Sequence, residues 1–188
     1  MFLCSWAPAQ SKTNLEIFYS LVDSSVVRIN NAVPSSIKEI KINFNSGKYF
    51  SVFQNQVIYN FVNLGRTVIP DSAYDPHSTK INYALENAGV QYGEMERDGF
   101  FGGFLLPRKL KIDGSYSVEN GVVTPGDFHF AYQDTISVDD IENLENPSFP
   151  FTQGKVPPEP FFSSLFEPVV AIGSAALAVI LFFTVRSK

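Results

Sequence analysis

The chain has 188 residues, 45% of them hydrophobic, and a formal charge of -5. That length holds one medium-sized core with an appendage and is short of two full domains, while the 18 Phe and 8 Tyr supply enough apolar surface to exclude a disordered chain. One cysteine, Cys4, excludes an internal disulfide framework and any multi-cysteine zinc site, and the absence of a basic stripe argues against nucleic-acid binding.

The first residues, MFLCSWAPAQ, contain Ala7-Pro8-Ala9, a stretch resembling a signal-peptidase site. The apolar part is too short for a whole signal peptide, so residues 1–10 read as the remnant of one whose start lies upstream. Cys4 does not sit in a lipobox, because Leu3 stands where a small residue is needed.

Residues 11–146 read as an extracytoplasmic domain. Asn14 is the expected cap of a first helix, with Leu15, Phe18, Val22, Val26 and Ile29 on one face and Pro34 closing it. Ile40, Ile42 and Phe44 alternate with polar residues as a half-buried strand. A second helix follows, carrying Phe50, Phe53, Val57, Phe61 and Leu64, with Gly65 at its end. Residues 66–69 form a short strand stopped by Pro70.

Asp75-Pro76 is the expected start of a third helix burying Ile81, Ala84, Leu85 and Ala88 and ending at Gly89, after which residues 90–97 return as a strand. Residues 108–119 are strand, turned at Asn120-Gly121 into a last strand on which Phe128, Phe130 and Tyr132 alternate. Ser137 then caps a short acidic helix with Ile141 and Leu144. The expected fold class is α/β (α+β), three helices packed on a mixed sheet with an antiparallel hairpin end.

Residues 147–166 read as a linker, because 147–160 alone contain five prolines, Pro147, Pro150, Pro157, Pro158 and Pro160. Residues 167–188 read as a transmembrane helix with a basic tail. From 168 to 185 there is no charged residue, and at about 1.5 Å per residue those positions reach roughly 27 Å, the thickness of a bilayer core. The upstream flank is acidic (Asp139, Asp140, Glu142, Glu145, Glu159, Glu167), whereas Arg186 and Lys188 follow the helix. The positive-inside rule then places the C-terminus in the cytoplasm and the domain outside; a tail-anchored protein with a cytoplasmic domain is the alternative. Ala171 and Ala175, with Ser174 and Ala178, recur four apart, a spacing that lets a second helix approach and is also common in any membrane helix.

No dinucleotide, P-loop, nucleophile-elbow or zinc-protease motif occurs. His77 and His129 each have an acid two residues before (Asp75, Asp127) and no second histidine or cysteine nearby, so no metal site and no cofactor is expected. Asp139 and Asp140 are neighbours in a first helical turn and point apart, which suits the helix dipole better than paired catalysis. The stretch from Asp98 to Phe104, DGFFGGF, is the one loop with a distinctive make-up. Phe100, Phe101 and Phe104, fringed by Arg108, Lys109 and Lys111, read either as a docking tip or as a hairpin whose rings fold onto the core. Phe161, Phe162, Leu165 and Phe166 suit a headgroup zone at the helix entry.

The stretch INYALENAGVQY, residues 81–92, resembles the α/β domains of curli-secretion lipoproteins and of the N-terminal part of periplasmic Tol-system proteins. The layout with DIENLENP, PFT and the terminal EPVV…FTVRS is similar to that of bacterial envelope proteins with a C-terminal anchor. The resemblance implies a non-catalytic, membrane-anchored periplasmic interaction or assembly module of the inner membrane, partnered by other envelope proteins or by itself. A structural subunit of a large membrane complex and an enzyme with an unrecognised polar site are the alternatives.

Overall fold

The computed structural model of the protein describes residues 11–70, 78–99, 102–160 and 163–186, the last as backbone only at 163–168 and 185–186. Residues 1–10, read as a signal remnant, and His77 lie outside the described residues. The chain divides into two units at Lys155 and Val156.

Helix α1 spans Asn14–Ala32. Its cap is Thr13, one residue earlier than expected: the Thr13 hydroxyl accepts from the Glu16 N–H at 3.2 Å and the Glu16 carboxylate accepts from the Thr13 N–H at 2.8 Å, a capping box. The hydrogen bonds from Thr13 hold the Glu16 carboxyl below its usual range. Asn14 therefore enters the first turn, where it is fully buried. Ile17, Phe18, Leu21, Val22, Ser25, Val26 and Ile29 form the buried stripe, and Leu15 stands at its margin.

Strand β1 spans Glu39–Ser46. A short 3-10 turn (Lys48–Phe53) leads into helix α2, Gln54–Asn63, and Phe53 of the turn with Val57 and Phe61 of the helix are buried four residues apart. Leu64, expected on this face, is 40% exposed because the helix has ended. Gly65 adopts φ +83, with its N–H on the Val62 carbonyl and the Arg66 N–H on the Phe61 carbonyl. That is a Schellman ending, which a side chain at position 65 would strain. It also swings Arg66 onto the carboxyl end of α1, where no basic residue of the helix itself stands. The guanidinium donates to Asn30 Oδ1 and to the carbonyls of Asn30, Val33, Pro34 and Ile37, satisfying acceptors that the helix end leaves open.

The mixed sheet comprises β1, β2 (Thr67–Val68), β3 (Thr79–Tyr92), β4 (Glu96–Arg97), β5 (Phe104–Asn120) and β6 (Val122–Ser137). The order is β2-β1-β3-β5-β4, with β6 on the other side of β5. β1 runs parallel to β2 and β3, whereas β3, β5 and β6 are antiparallel neighbours. The Asn120-Gly121 turn forms as expected, with Gly121 at φ +70.

The third helix expected over 75–89 is a strand from residue 79 onward. Ile81, Ala84, Leu85 and Ala88 fit a helical face, but Thr79, Ile81, Tyr83 and Leu85 fit an alternating one and are the residues actually buried, while Ala84 is half-buried. An irregularity between Leu85 and Asn87 shifts the phase, so Ala88 and Val90 continue the same buried row. The strand expected over 90–97 is the end of β3 plus the two residues of β4.

Most buried apolar positions join one core, with Tyr83 stacked on Phe44 at 5.3 Å and tilted against Phe128 at 5.2 Å. Gly114 faces Phe128 across β5 and β6; a Cβ there would overlap that ring and the Ala84 carbonyl. A smaller cluster of Met95, Leu106, Ile136, Ile141 and Leu144 closes the other end, beneath α3 (Ile141–Leu144). Ser137 caps the turn before α3, accepting from the Asp139 N–H at 3.3 Å.

The linker expected to begin at residue 147 is in its first part core. A single 3-10 turn, Pro150–Thr152, buries Phe151 against Phe18, Phe50 and Phe53 at 5.3–5.4 Å. The unit accordingly extends past Asn146 to Lys155. Prolines that looked like a spacer here set a strap on the domain.

Helix α4 is Ser163–Arg186. Its described side chains, 169–184, are uncharged and all exposed. Among the described residues no helix is long and apolar enough to cross a membrane; those sixteen positions are shorter than the stretch 168–185 read from the sequence.

Candidate functional site

β5 carries Phe104, Arg108, Lys109 and Lys111 and β6 carries His129, and strand alternation sorts them onto two faces. Arg108 does not belong to a basic fringe. It points to the helix side and is 1% exposed. Its Nε and Nη2 donate to the two Asp134 oxygens at 2.8 and 2.5 Å, and Nη1 donates to Asn14 Oδ1 at 2.6 Å and the Lys12 carbonyl at 3.1 Å. Lys109 and Lys111 fall on the opposite face, Lys109 exposed and Lys111 half-buried. Lys109 borders a shallow groove of about 500 Å³ with Gln91, Pro107, Gln133 and Thr135.

The Arg108 pair is the centre of a wider network. Asn14 Nδ2 donates to the Thr152 carbonyl at 2.7 Å. The Tyr92 hydroxyl donates to Glu145 Oε1 at 2.9 Å, and the Gly154 N–H reaches the same oxygen at 2.8 Å. Burial, with the Glu145 carboxylate beside it, pushes the Tyr92 hydroxyl up to about 12. Among the described residues no buried side-chain nitrogen or oxygen lacks a partner. The network ties the start of α1 to β3, β5, β6 and the 150–154 strap, with Arg108 at its centre.

In the glycine-rich loop, Phe100 and Phe101 lie outside the described residues. Phe104 is half-buried against the Met95–Leu106 cluster, and the Arg97 guanidinium lies 5.7 Å from its ring centroid. The Asp98 N–H closes the loop on the Gly103 carbonyl at 2.9 Å. Of the three rings, this one folds onto the core.

His129 points away from the rings of Phe128 and Phe130, and the register sets Asp113 directly opposite it. Nδ1 lies 2.9 Å from Asp113 Oδ1 and Nε2 3.0 Å from Asp127 Oδ2. Sequence spacing pointed to Asp127 alone; Asp113 is sixteen positions away and reaches the ring only through the β5–β6 ladder. Because each carboxylate takes a different ring nitrogen, the three groups do not converge on one point, and among the described residues no group suited to a metal ion occurs. The Asp113 and Asp127 carboxylates raise the His129 pKa above its usual value, and His129 in turn lowers that of Asp113. A raised folded-state value means that this interaction contributes fully below the unfolded pKa of about 6.5 and is lost as pH rises through the folded one. The expected result is an NMR titration of His129 with its midpoint above about 6.5, moved down by Asp113→Asn; an unchanged midpoint in that variant contradicts the pairing.

Ser25 and Tyr83 share a hydrogen bond at 2.8 Å, both fully buried under α1. Desolvation raises the Tyr83 pKa, and the pair has no access to a ligand. A second groove, about 720 Å³, runs between α1 and β6 and is lined by Val27, Arg28, Ala32, Tyr116 and Phe130. On α4, Ala171, Ala175, Ser174 and Ala178 are exposed, and the Ser174 hydroxyl is spent on the Ala171 carbonyl at 3.0 Å.

No protein-family model matches the chain, and no curated protein matches it in sequence. Among solved structures, a minor lipoprotein from Acinetobacter baumannii is similar at 8% identity and a TM-score of 0.36, over 56% of this chain and 70% of that one. The rare lipoprotein B from Shewanella oneidensis is similar at 8% identity and a TM-score of 0.31, over 78% of this chain and 93% of that one. At those scores the resemblance is a weak one of fold and carries nothing about activity.

Proposed function

We propose that the chain is a non-catalytic assembly module of a bacterial cell envelope, held to the inner membrane by α4 with its domain on the outer side. The observation that carries this reading is the apolar surface of α4. Val169, Ile172, Leu181, Phe182 and Phe183 are 65%, 70%, 54%, 58% and 68% exposed, and at about 3.6 residues per turn they do not confine themselves to one stripe. A helix apolar all round is stable when lipid or protein surrounds it, and an exposed apolar surface of this extent in water is an aggregation hazard. Acids before the helix and Arg186 and Lys188 after it orient it. Among the described residues each buried side-chain nitrogen and oxygen has a partner within the protein, which suits a scaffold that presents a surface. The 99–104 loop, through Phe100 and Phe101, stays within this reading as a docking tip.

The experiment is a pair of reporter fusions with alkaline carbonate extraction. Alkaline phosphatase inserted within 156–160 should be active and a fusion after Lys188 inactive, and the chain should stay in the carbonate-washed membrane. Release by carbonate overturns the anchor, and the reverse pattern of activity replaces this orientation with the tail-anchored one.

A further inference from the structure

Strand β6 lies at an edge of the sheet, bonded to β5 along its length with no shift of register. Two observations show which of its residues turn their backbone outward. The Asp127 carbonyl accepts from Nε of Arg28 at 2.9 Å, so that residue faces away from β5. Pro125, of the same parity, has no N–H to give the ladder and is tolerated where the N–H would face outward. His129, Ala131, Gln133 and Thr135 follow in phase. All four are exposed, and among the described residues no bond beyond the ladder engages their N–H or C=O groups.

Edges are ordinarily guarded by proline, lysine, bulges or shortness. Here Pro125 and Arg28 guard one end, and the chain turns away after Ser137 at the other. The stretch 129–135, HFAYQDT, has no lysine, no proline and no bulge. The one carboxylate in it, Asp134, is committed to Arg108.

We infer that this stretch pairs with its own copy, antiparallel about a two-fold axis at Tyr132, making one continuous sheet from two chains. The guarded ends centre the open window on residue 132. That register sets His129 opposite Thr135 and Ala131 opposite Gln133, so every outward N–H and C=O of the four meets a partner. It sets Phe130 opposite Asp134 and Tyr132, 38% exposed, opposite itself. No like charges face each other, and the pairing is isologous, as closed dimers require. An incoming β6 also carries the alternation that the place demands, aromatic toward the α1 groove and polar toward His129. The inference is independent of the membrane reading, since β6 belongs to the unit ending at Lys155.

The test uses the full chain in mild detergent with Cys4→Ser, which removes its one cysteine. Residues facing themselves in a non-hydrogen-bonded pair have Cα atoms about 4.5 Å apart, within the roughly 4.4–6.8 Å that a disulfide spans. Tyr132→Cys should therefore oxidise to a disulfide dimer, and Thr124→Cys, beyond the Pro125 guard, should not. In a chain with the natural tyrosine, Ala131→Pro removes an outward donor and spares the β5 ladder, so light scattering should show the mass fall to half with an unchanged circular dichroism spectrum. A wild-type chain that is monomeric overturns the inference. So do equal cross-linking at 124 and 132, a dimer that survives Ala131→Pro, and a Tyr132→Cys disulfide formed with a different protein.

Discussion

Phe53→Ala and Phe151→Ala should each destabilise the domain by about 3–5 kcal/mol, the cost of deleting a large buried ring and leaving a cavity. Phe53 is fully buried and Phe151 is 7% exposed, and their centroids lie 5.4 Å apart in one cluster with Phe18 and Phe50. Because they touch, the two effects should not add, and the double variant should cost less than the sum. Urea unfolding of a chain ending at Lys155 reads both, with a lowered midpoint at constant slope. The Phe151 result is the sharper of the two. A midpoint unmoved by Phe151→Ala returns residues 147–155 to the status of a linker, whereas the expected loss makes the strap part of the fold.

Asp134→Ala should cost about 3 kcal/mol, because it leaves the Arg108 guanidinium buried with its charge unmatched. The figure belongs at the lower end of the range for a broken buried pair, since the Asp134 side chain keeps 23% exposure and admits some water. Arg108→Leu should cost a similar amount by orphaning Asn14 Oδ1 and the Lys12 carbonyl. Arg108→Leu with Asp134→Ala together should recover part of the loss, since two apolar side chains need no counter-ion. Thermal unfolding of the four chains checks this as a double-mutant cycle. Additive losses would show that the pair does not act as a unit and that the network is held elsewhere.

Local signals in the sequence were enough for α1, α2, their Pro34 and Gly65 endings, the Asn120-Gly121 hairpin and the alternation of β6. Each is written within one turn of helix or one hairpin: a stripe at four-residue spacing, a glycine where φ must be positive, a two-period of rings. The cap at Thr13 rather than Asn14 is a choice between two adjacent capping residues, settled by Glu16 three positions on from threonine.

Long-range pairing decided the rest. Residues 79–92 satisfy a helical and an alternating period at once, and the choice fell to β1 and β5, whose edges give that segment backbone partners on both sides. Arg108, Lys109 and Lys111 looked like one basic cluster along the chain; alternation across the sheet buries the first and exposes the second, and only the neighbours of β5 say which face is inside. Asp113 and His129, Asn14 and Thr152, and Phe18 and Phe151 are each brought together from distant positions, so no spacing announces them. What the sequence determined by itself was a mixed α/β domain followed by an uncharged apolar segment, because hydrophobic period and charge are properties of the chain alone. What tertiary structure decided was which polar groups are spent and which edge stays open, because satisfaction of a hydrogen-bonding group is a property of its neighbours in space.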